Sequence, residues 1–190
     1  DNLYFRFTAI WTLGFACLLQ GNRAAAEKAF TEALSISQES GDTHSTIVAT
    51  IGLGQVQELG NHLYLAVDSY RRVLQLAGDL PQPVVSEALL GLARVFYEWN
   101  DLDTAEQYRQ QSLQLTRQFD KTIDRFVICE VFLARLKLAR GDVAGAAAML
   151  AETEQSVLQN NFVHRMPEVA AAQVLTLLHQ GNQAVADRLA

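Results

Sequence analysis

The stretch at residues 141–150 reads GDVAGAAAML, and three earlier stretches resemble it: GNRAAAEKAF at 21–30, GNHLYLAVDSY at 60–70 and NDLDTAEQYR at 100–109. Each stretch contains one alanine at a matching place. These alanines recur at spacings of 40, 39 and 41 residues: Ala26, Ala66, Ala105 and Ala146. Ala186 follows 40 residues later. A period of this length indicates an array of repeated structural units.

A turn precedes each alanine. Its first residue tolerates a left-handed conformation, and its second residue can cap a new helix. The turn pairs are Gly21-Asn22, Gly60-Asn61, Asn100-Asp101, Gly141-Asp142 and Gly181-Asn182. The repeated unit is therefore a helical hairpin. The sequence predicts paired helices near residues 3–20 and 23–40, 43–59 and 63–78, 83–99 and 102–118, 122–140 and 143–159, and 167–180 and 183–190.

Small or compact side chains recur at two further fixed distances from the alanines. Helices approach to about 8–10 Å only where the crossing residues are short, so these positions mark helix crossings. Twelve residues before the first four alanines stand Gly14, Gly54, Ala93 and Ala134, and seven residues after them stand Ala33, Val73, Ser112 and Thr153. A leucine lies thirteen residues before each alanine, at Leu13, Leu53, Leu92 and Leu133. The position four after the alanine is Phe30, Tyr70, Arg109 or Leu150.

These offsets resemble the tetratricopeptide repeat, whose pattern places Leu-Gly, then Ala, an aromatic residue and Ala at such separations. The resemblance implies an all-α, right-handed superhelix, or α-solenoid, with a repeat of about 40 residues instead of the usual 34 or so. We predict a single array over residues 1–190, with repeats near 3–40, 43–78, 83–118 and 122–159 and a truncated repeat at 167–190. Because the last helix is cut short, we expect a fragment of a longer protein.

Two segments resemble a more specific family. They read YEWNDLDTAE at 97–106 and LARLKLARGDVAGA at 133–146, and they look like the MalT-type helical domain of large LuxR-family transcription regulators. That resemblance implies an ATP-binding module before the array, a helix-turn-helix after it, and an array that senses an inducer or partner. The chain contains neither a G-x-x-x-x-G-K-[ST] loop nor a basic recognition helix, so both modules would have to lie outside it.

Composition limits the classes of function. The chain has 15 Lys+Arg and 21 Asp+Glu, a formal net charge of −6 and a pI near 5.2. This balance offers no electrostatic footprint for a phosphate backbone, so we predict no direct binding of nucleic acid by this fragment. The repeat register explains the apolar segment 3–19 better than a membrane span does. Cys17 and Cys129 fall in apolar helical stretches, so we expect free thiols in core positions and a cytoplasmic protein.

Catalytic and metal sites find no support in the sequence. The four histidines lack the spacing and clustering of metal ligands: His44, His62, His164 and His179. Asp101 and Asp103 stand at a predicted helix start, where capping explains carboxylates better than acid–base chemistry does. The run Gly52-Leu53-Gly54 lies inside a predicted helix and lacks the third glycine of a nucleotide loop, so we interpret it as a packing feature. We predict a non-enzymatic protein without a cofactor.

A candidate binding site follows from the resemblance, which implies that the first helix of every hairpin lines a concave groove. The positions so placed are mostly apolar: Thr8, Trp11, Phe15, Leu18, Val48, Ile51, Gln55, Glu58, Glu87, Leu90, Arg94, Tyr97, Ile128, Val131, Arg135 and Leu138. Arginine forks at Arg94 and Arg135 would fix anionic groups, and Tyr97 would supply contact area. The site residues predicted on this basis are Gln55, Glu58, Glu87, Arg94, Tyr97 and Arg135. The alternative is that such groups form inter-repeat ion pairs, for example Glu58 with Arg94.

Three functions remain open. The first is a sensor or interaction domain of a MalT-like regulator, whose partner is an inducer, either a small molecule or a protein, or another domain of the same polypeptide. The second is a free-standing tetratricopeptide scaffold that holds a partner's peptide. The third is an enzyme with a site between hairpins, which the absence of a nucleophile beside a base disfavours. The sequence separates the first two poorly.

Overall fold

The structure, a computed structural model, describes residues 3–78, 83–119 and 125–181. Its helices are α1 (Leu3–Leu19), α2 (Arg23–Ser40), α3 (Thr43–Leu59), α4 (Leu63–Ala77), α5 (Val85–Glu98), α6 (Leu102–Phe119), α7 (Arg125–Ala139), α8 (Val143–Gln159) and α9 (Met166–His179), with a 3-10 turn at Val163–Arg165 before α9. The described residues contain no β-strand. The predicted all-α class is confirmed, and the predicted helix at 183–190, with Ala186, lies outside the described residues.

The chain divides into two compact units, Asp1–Asp101 and Leu102–Ala190. In the first unit each helix from α1 to α5 packs on the next, and the first helices of successive hairpins, α1, α3 and α5, contact each other in turn. In the second unit α6 packs on α7, α7 on α8 and α8 on α9, while α7 also contacts α9. Each unit therefore consists of stacked antiparallel helices. The single continuous array over residues 1–190 stays a prediction.

The repeat positions form the centres of these contacts. The four alanines are fully buried, as are the compact residues seven positions later: Ala33, Val73, Ser112 and Thr153. Gly14, Gly54, Ala93 and Ala134 are buried as well. Short side chains at these places allow the close helix approach on which the fold prediction depended. Burial at all of these positions agrees with the predicted crossings.

We call the residue four after each repeat alanine the knob, because in the first unit it inserts between two first helices. The Phe30 ring lies so close to Gly14 of α1 and Gly52 of α3 that an added Cβ would stand 2.7 Å and 2.5 Å from ring carbons. Tyr70 lies in the same way between Gly54 of α3 and Gly91 of α5. In the second unit the smaller knob Leu150 packs with two alanines, Ala134 of α7 and Ala172 of α9. The glycines of the Gly52-Leu53-Gly54 run therefore serve packing.

The turns follow the predicted chemistry with one correction. Gly21 and Gly141 adopt positive φ angles of 74° and 81°, and the next residue caps the following helix: Asn22 Oδ1 accepts a hydrogen bond from Ala25 N, and Asp142 Oδ1 accepts one from Gly145 N. The assignment of Gly60-Asn61 was wrong by one residue. Asn61, with φ 58°, takes the left-handed place, and His62 is the N-cap position without a side-chain hydrogen bond. The constant offset is five residues before the alanine, which selects Asn61 instead of Gly60.

Candidate functional site

The predicted groove positions divide by burial. Ile51, Leu90 and Leu138 are buried in the packing between helices, so they present no surface to a ligand. Thr8 and Arg135 are exposed. The remaining positions are half-buried, which suits residues that line a groove: Trp11, Phe15, Leu18, Val48, Gln55, Glu58, Glu87, Arg94, Tyr97, Ile128 and Val131. We call the half-buried members on α1, α3 and α5 the first-helix row.

Glu58 is the centre of a polar cluster within the first-helix row. Its Oε1 accepts a hydrogen bond from Arg94 Nε at 2.5 Å, and its Oε2 accepts one from Arg94 Nη2 at 2.8 Å. The buried hydroxyl of Tyr70 donates a third hydrogen bond to Glu58 Oε2 at 2.8 Å. The side chains of Arg94 and Glu58 are 31% and 18% exposed. The two-pronged ion pair joins α3 to α5, so the inter-repeat pairing considered as the alternative is present.

The cluster shifts the pKa values of Tyr70 and Arg94. Burial raises the pKa of the Tyr70 phenol strongly, and the negative charge of Glu58 raises it further. Burial acts to lower the pKa of Arg94, but the hydrogen bonds and the charge of Glu58 outweigh it and hold that pKa above its usual range. Tyr70 therefore stays a neutral hydrogen-bond donor and Arg94 stays a cation. At neutral pH the three groups form a fixed ion pair with a neutral donor beneath it.

Gln55 lies one helical turn before Glu58 on α3. Its Oε1 is buried, and within the described part of the chain it accepts no hydrogen bond. Trp11 of α1 shows the complementary feature, a buried Nε1 that donates to no atom of the described residues. A buried polar atom without a partner costs roughly 1–3 kcal/mol. The first-helix row therefore contains one unused acceptor and one unused donor among aromatic and aliphatic side chains.

The other predicted site residues, Glu87, Tyr97 and Arg135, are not part of this hydrogen-bonded cluster. Glu87 lies in the first turn of α5, on the same helix as Arg94, and its charge contributes to the raised pKa of Arg94. Tyr97 follows Arg94 by three residues on α5 and is half-buried. Arg135 is exposed on α7 of the second unit. The structure thus brings together Glu58 and Arg94 and adds Tyr70, a residue that the sequence indicated only as a packing position.

Outside the first-helix row, Arg140 forms a second cluster of ion pairs. Arg140, in the turn directly after α7, binds Asp103 Oδ1 at 2.6 Å and also pairs with Glu106, and it thereby ties the end of α7 to the start of α6. The hydrogen bond from Arg140 lowers the pKa of the Glu106 carboxyl. The four histidines are exposed. Over residues 3–78, 83–119 and 125–181, no three His, Cys, Asp or Glu side chains come together as metal ligands.

The cysteines occupy the two units separately. Cys129 is buried, with Sγ 3.4 Å from Ser112 Oγ, and Cys17 is half-buried against Phe30 and its neighbours. Both are free. No helix among the described residues has the length and hydrophobicity needed to cross a membrane. The first-helix row contains the Glu58–Arg94 ion pair and the buried polar atoms of Gln55 and Trp11, and we take it as the candidate functional site.

The whole sequence matches one known protein family. The model of the MalT-like TPR region matches residues 1–190, the whole chain. The chain belongs to the MalT-like TPR region family. This family assignment agrees with the offsets that the structure places at the helix crossings. The comparison with curated proteins finds no match.

Solved structures share the fold. A Rap protein in complex with Competence and Sporulation Factor superposes with a TM-score of 0.85 at 12% identity, over 100% of this chain and 52% of that protein. BtubC from P. vanneervenii gives a TM-score of 0.72 at 18% identity, over 95% of this chain and 75% of that one. The third structure is a STAND protein (Signal Transduction ATPase with Numerous Domains) with a tetratricopeptide-repeat sensor, from Pyrococcus horikoshii. It superposes with a TM-score of 0.71 at 14% identity, over 100% of this chain and 30% of that protein. At these identities the likeness shows the α-solenoid fold.

Proposed function

We propose that the chain is a non-enzymatic sensor or interaction domain of a MalT-like, LuxR-family transcription regulator, and that it binds its inducer or partner on the first-helix row. The chain spans about a third of the STAND protein, whose sensor is a tetratricopeptide array. By analogy, ATP binding and DNA binding would belong to other parts of the polypeptide. The observation that carries the binding proposal is the unused acceptor of Gln55 inside a half-buried, largely apolar row.

The geometry sets the chemistry of the ligand. Arg94 uses two nitrogens of its guanidinium on Glu58, so it does not offer a vacant two-pronged site to an anion. Gln55 Oε1 instead is an acceptor without a partner among the described residues, which suits a ligand with an N–H donor, such as a peptide amide. Glu87 and Glu58 together outweigh the charge of Arg94, which favours a neutral or cationic ligand. Phe15 and Tyr97 would contact its apolar groups.

The role of Gln55 is tested by selecting peptides from a displayed library on the purified chain and measuring their affinity for the Gln55→Met variant. Methionine keeps the length of the side chain and removes its polar atoms. We expect binding to weaken about three- to tenfold, the value of one neutral hydrogen bond. We expect thermal stability to stay the same or rise, because the variant removes a buried atom that has no partner.

The matched control is Glu32→Gln on the exposed face of α2, which should change neither affinity nor stability. Arg94→Ala serves a different purpose. It removes the ion pair of Glu58, so it should lower stability, and affinity per folded molecule should fall less than in Gln55→Met. If no selected peptide is sensitive to Gln55→Met, or if Glu32→Gln weakens binding equally, the row is not the binding site.

The regulator assignment is tested separately with the full-length natural polypeptide. We expect it to bind ATP and to retard promoter DNA. The 190-residue chain alone should not bind ATP because it contains no G-x-x-x-x-G-K-[ST] loop, and it should not retard DNA because its net charge is −6. Arg135 belongs to this second experiment. If the exposed α7 face contacts another domain of the regulator, Arg135→Ala should change the inducer response of the full-length protein while peptide binding by the isolated chain stays the same.

A free-standing scaffold is the alternative, and the likeness to the Rap protein favours it. That protein, bound to Competence and Sporulation Factor, matches the whole of this chain with a TM-score of 0.85. Under this alternative the same first-helix row holds a partner's peptide, and the polypeptide has no DNA-binding module. Failure of the full-length protein to retard DNA, together with peptide binding that depends on Gln55, would favour the scaffold over the regulator.

A further inference from the structure

Helix α1 has an uncovered apolar face. Phe5 and Leu13 are 69% and 56% exposed. Ala9, Thr12 and Ala16 are exposed beside them, and the five residues form one stripe at helical spacing. Among the described residues, the Tyr4 ring of the same helix contacts Phe5, and no other helix covers the stripe. Contiguous exposed apolar surface is a common feature of interaction sites.

The same face is covered on the next first helix. The residues of α3 that lie 40 positions later are buried or half-buried: Ser45, Ala49, Gly52, Leu53 and Val56. They are covered by the α1–α2 hairpin, with Phe30 of α2 against Gly52 and Val56. On α5 the corresponding residues Ala88, Gly91, Leu92 and Val95 are buried too. The face of α1 therefore continues an interface that the chain already forms twice.

The residue of a first helix against which the preceding knob packs is here called the receiving position. On α1 this residue limits the size of the knob that can pack there. Gly52 and Gly91 each lie against an aromatic knob and have no room for a Cβ. The matching residue of α1 is Thr12, fourteen positions before Ala26, as Gly52 is before Ala66. A β-branched side chain there leaves no place for an aromatic ring at the same depth. In the second unit the aliphatic knob Leu150 packs with Ala172. There a knob smaller than an aromatic ring is combined with a receiving residue that has a Cβ.

Charge gives a second constraint on the occupant. Arg6 of α1 stands where α3 has Thr46, and the hydroxyl of Thr46 donates to Ser37 Oγ near the C-terminal end of α2. In the same packing mode, Arg6 faces the last turn of the covering helix. The carbonyl groups of a last helical turn carry partial negative charge, which a cation stabilises. A carboxylate at the place of Ser37 would add a direct ion pair.

We propose that α1 is covered by the second helix of another hairpin of the same repeat type, which precedes α1 in the same polypeptide and has an aliphatic knob no larger than leucine. The packing mode is that of α2 on α3. The knob lies against Thr12, apolar side chains cover Phe5 and Leu13, and the last turn of the covering helix faces Arg6. This inference is independent of the ligand proposed for the first-helix row.

The experiment adds a hairpin to the 190-residue chain. A copy of residues 3–42 is placed before Leu3, so that the natural connection after α2 leads into α1. One version keeps Phe30 as its knob, and the other has Phe30→Leu with Gly14→Ala in the added copy, which reproduces the combination of leucine and alanine around Leu150. Hydrogen exchange of the α1 backbone amides is measured in both. We expect the leucine version to slow exchange about tenfold or more and the phenylalanine version to slow it clearly less.

Thr12→Gly in the receiving helix is the matched variant. It should raise the protection given by the phenylalanine version and should give no such gain with the leucine version. Equal protection of the unaltered α1 by both knobs would overturn the size argument. An added leucine hairpin that stays unfolded, or folds without protecting α1, would overturn the whole proposal, because docking on α1 is what should stabilise it.

A second copy of the chain is the competing occupant. Sedimentation of the unfused chain should show a monomer whose behaviour is unchanged by Leu13→Lys. A dimer that dissociates in Leu13→Lys would show that this face pairs with another copy, and the proposal would be wrong.

Discussion

Replacing Gly52 with alanine tests the knob arrangement most directly. The added Cβ would lie 2.5 Å, 2.6 Å and 2.8 Å from three carbons of the Phe30 ring. Ordinary carbon contacts are about 3.5–4.0 Å, so the overlap is about 1 Å. The ring cannot move away, because its other side lies against Gly14 of α1. Overpacking of this kind costs roughly 3 kcal/mol, and the better helix propensity of alanine returns about 1. We expect a net loss of about 2 kcal/mol.

Urea unfolding followed by tryptophan fluorescence measures this loss in the right part of the chain. The two tryptophans, Trp11 and Trp99, both belong to the first unit, and Trp11 packs beside Phe30 and Phe15. The control is the double variant Gly52→Ala with Phe30→Leu. It should be more stable than the sum of the two single effects predicts by about 1 kcal/mol or more, because leucine leaves room for the new methyl group.

A different result would refute the arrangement. If Gly52→Ala is neutral, or more stable by the amount that helix propensity alone gives, the Phe30 ring is not held between α1 and α3. Additive behaviour of Gly52→Ala and Phe30→Leu would lead to the same conclusion.

Three further predictions concern the crossings, the polar cluster and a helix cap. Ala146→Leu should lower stability by roughly 1–3 kcal/mol in a thermal melt, because the fully buried crossing has no room for a larger side chain. Tyr70→Phe should lower the urea midpoint by the equivalent of about 1 kcal/mol, since it removes the hydrogen bond to Glu58. Asp42→Ala should cost about 1 kcal/mol at neutral pH through loss of the α3 cap. The Ser45 hydroxyl lowers the pKa of the folded Asp42, so this difference should shrink as the pH falls below 3.8, the ordinary value.

Each of these outcomes has a clear opposite. An unchanged melt for Ala146→Leu would place that alanine away from a crossing. Unchanged stability in Tyr70→Phe would mean that the hydroxyl does not stabilise Glu58. If the cost of Asp42→Ala is the same at neutral pH and well below 3.8, the cap does not depend on the ionised carboxylate.

The period of small residues was enough to predict most helix boundaries. The predicted helices 23–40, 43–59 and 143–159 agree with the structure at both ends. The turn at Gly60-Asn61 was assigned wrongly because a glycine was chosen over the constant distance to Ala66. The spacing was the better indicator, since asparagine also tolerates the left-handed conformation. The short 3-10 turn before α9 has no counterpart in the repeat, and the pattern therefore did not predict it.

The sequence predicted the candidate site less completely than it predicted the helices. The repeat register placed Glu58 and Arg94 on the first helices of neighbouring hairpins, and their ion pair was the alternative to the predicted binding role. It gave no sign that Tyr70, at a packing position, extends its hydroxyl to Glu58. The unused acceptor of Gln55 depends on the rotamers of all its neighbours, which no spacing rule contains. The sequence does contain the pairing of glycines with aromatic knobs. Gly52 follows the knob Phe30, and Gly91 follows the knob Tyr70.

The unequal knobs also affect how the chain assembles. Arrays of similar units risk joining in the wrong order, because each hairpin presents nearly the same surfaces to every other. Here the partners are matched by volume: the rings of Phe30 and Tyr70 need glycines on both sides, whereas Leu150 suits alanines. An aromatic knob placed against the alanines around Leu150 would clash, and a leucine placed between the glycines would leave a void. The two sizes therefore disfavour wrong pairing between the hairpins with aromatic knobs and the hairpin with a leucine knob.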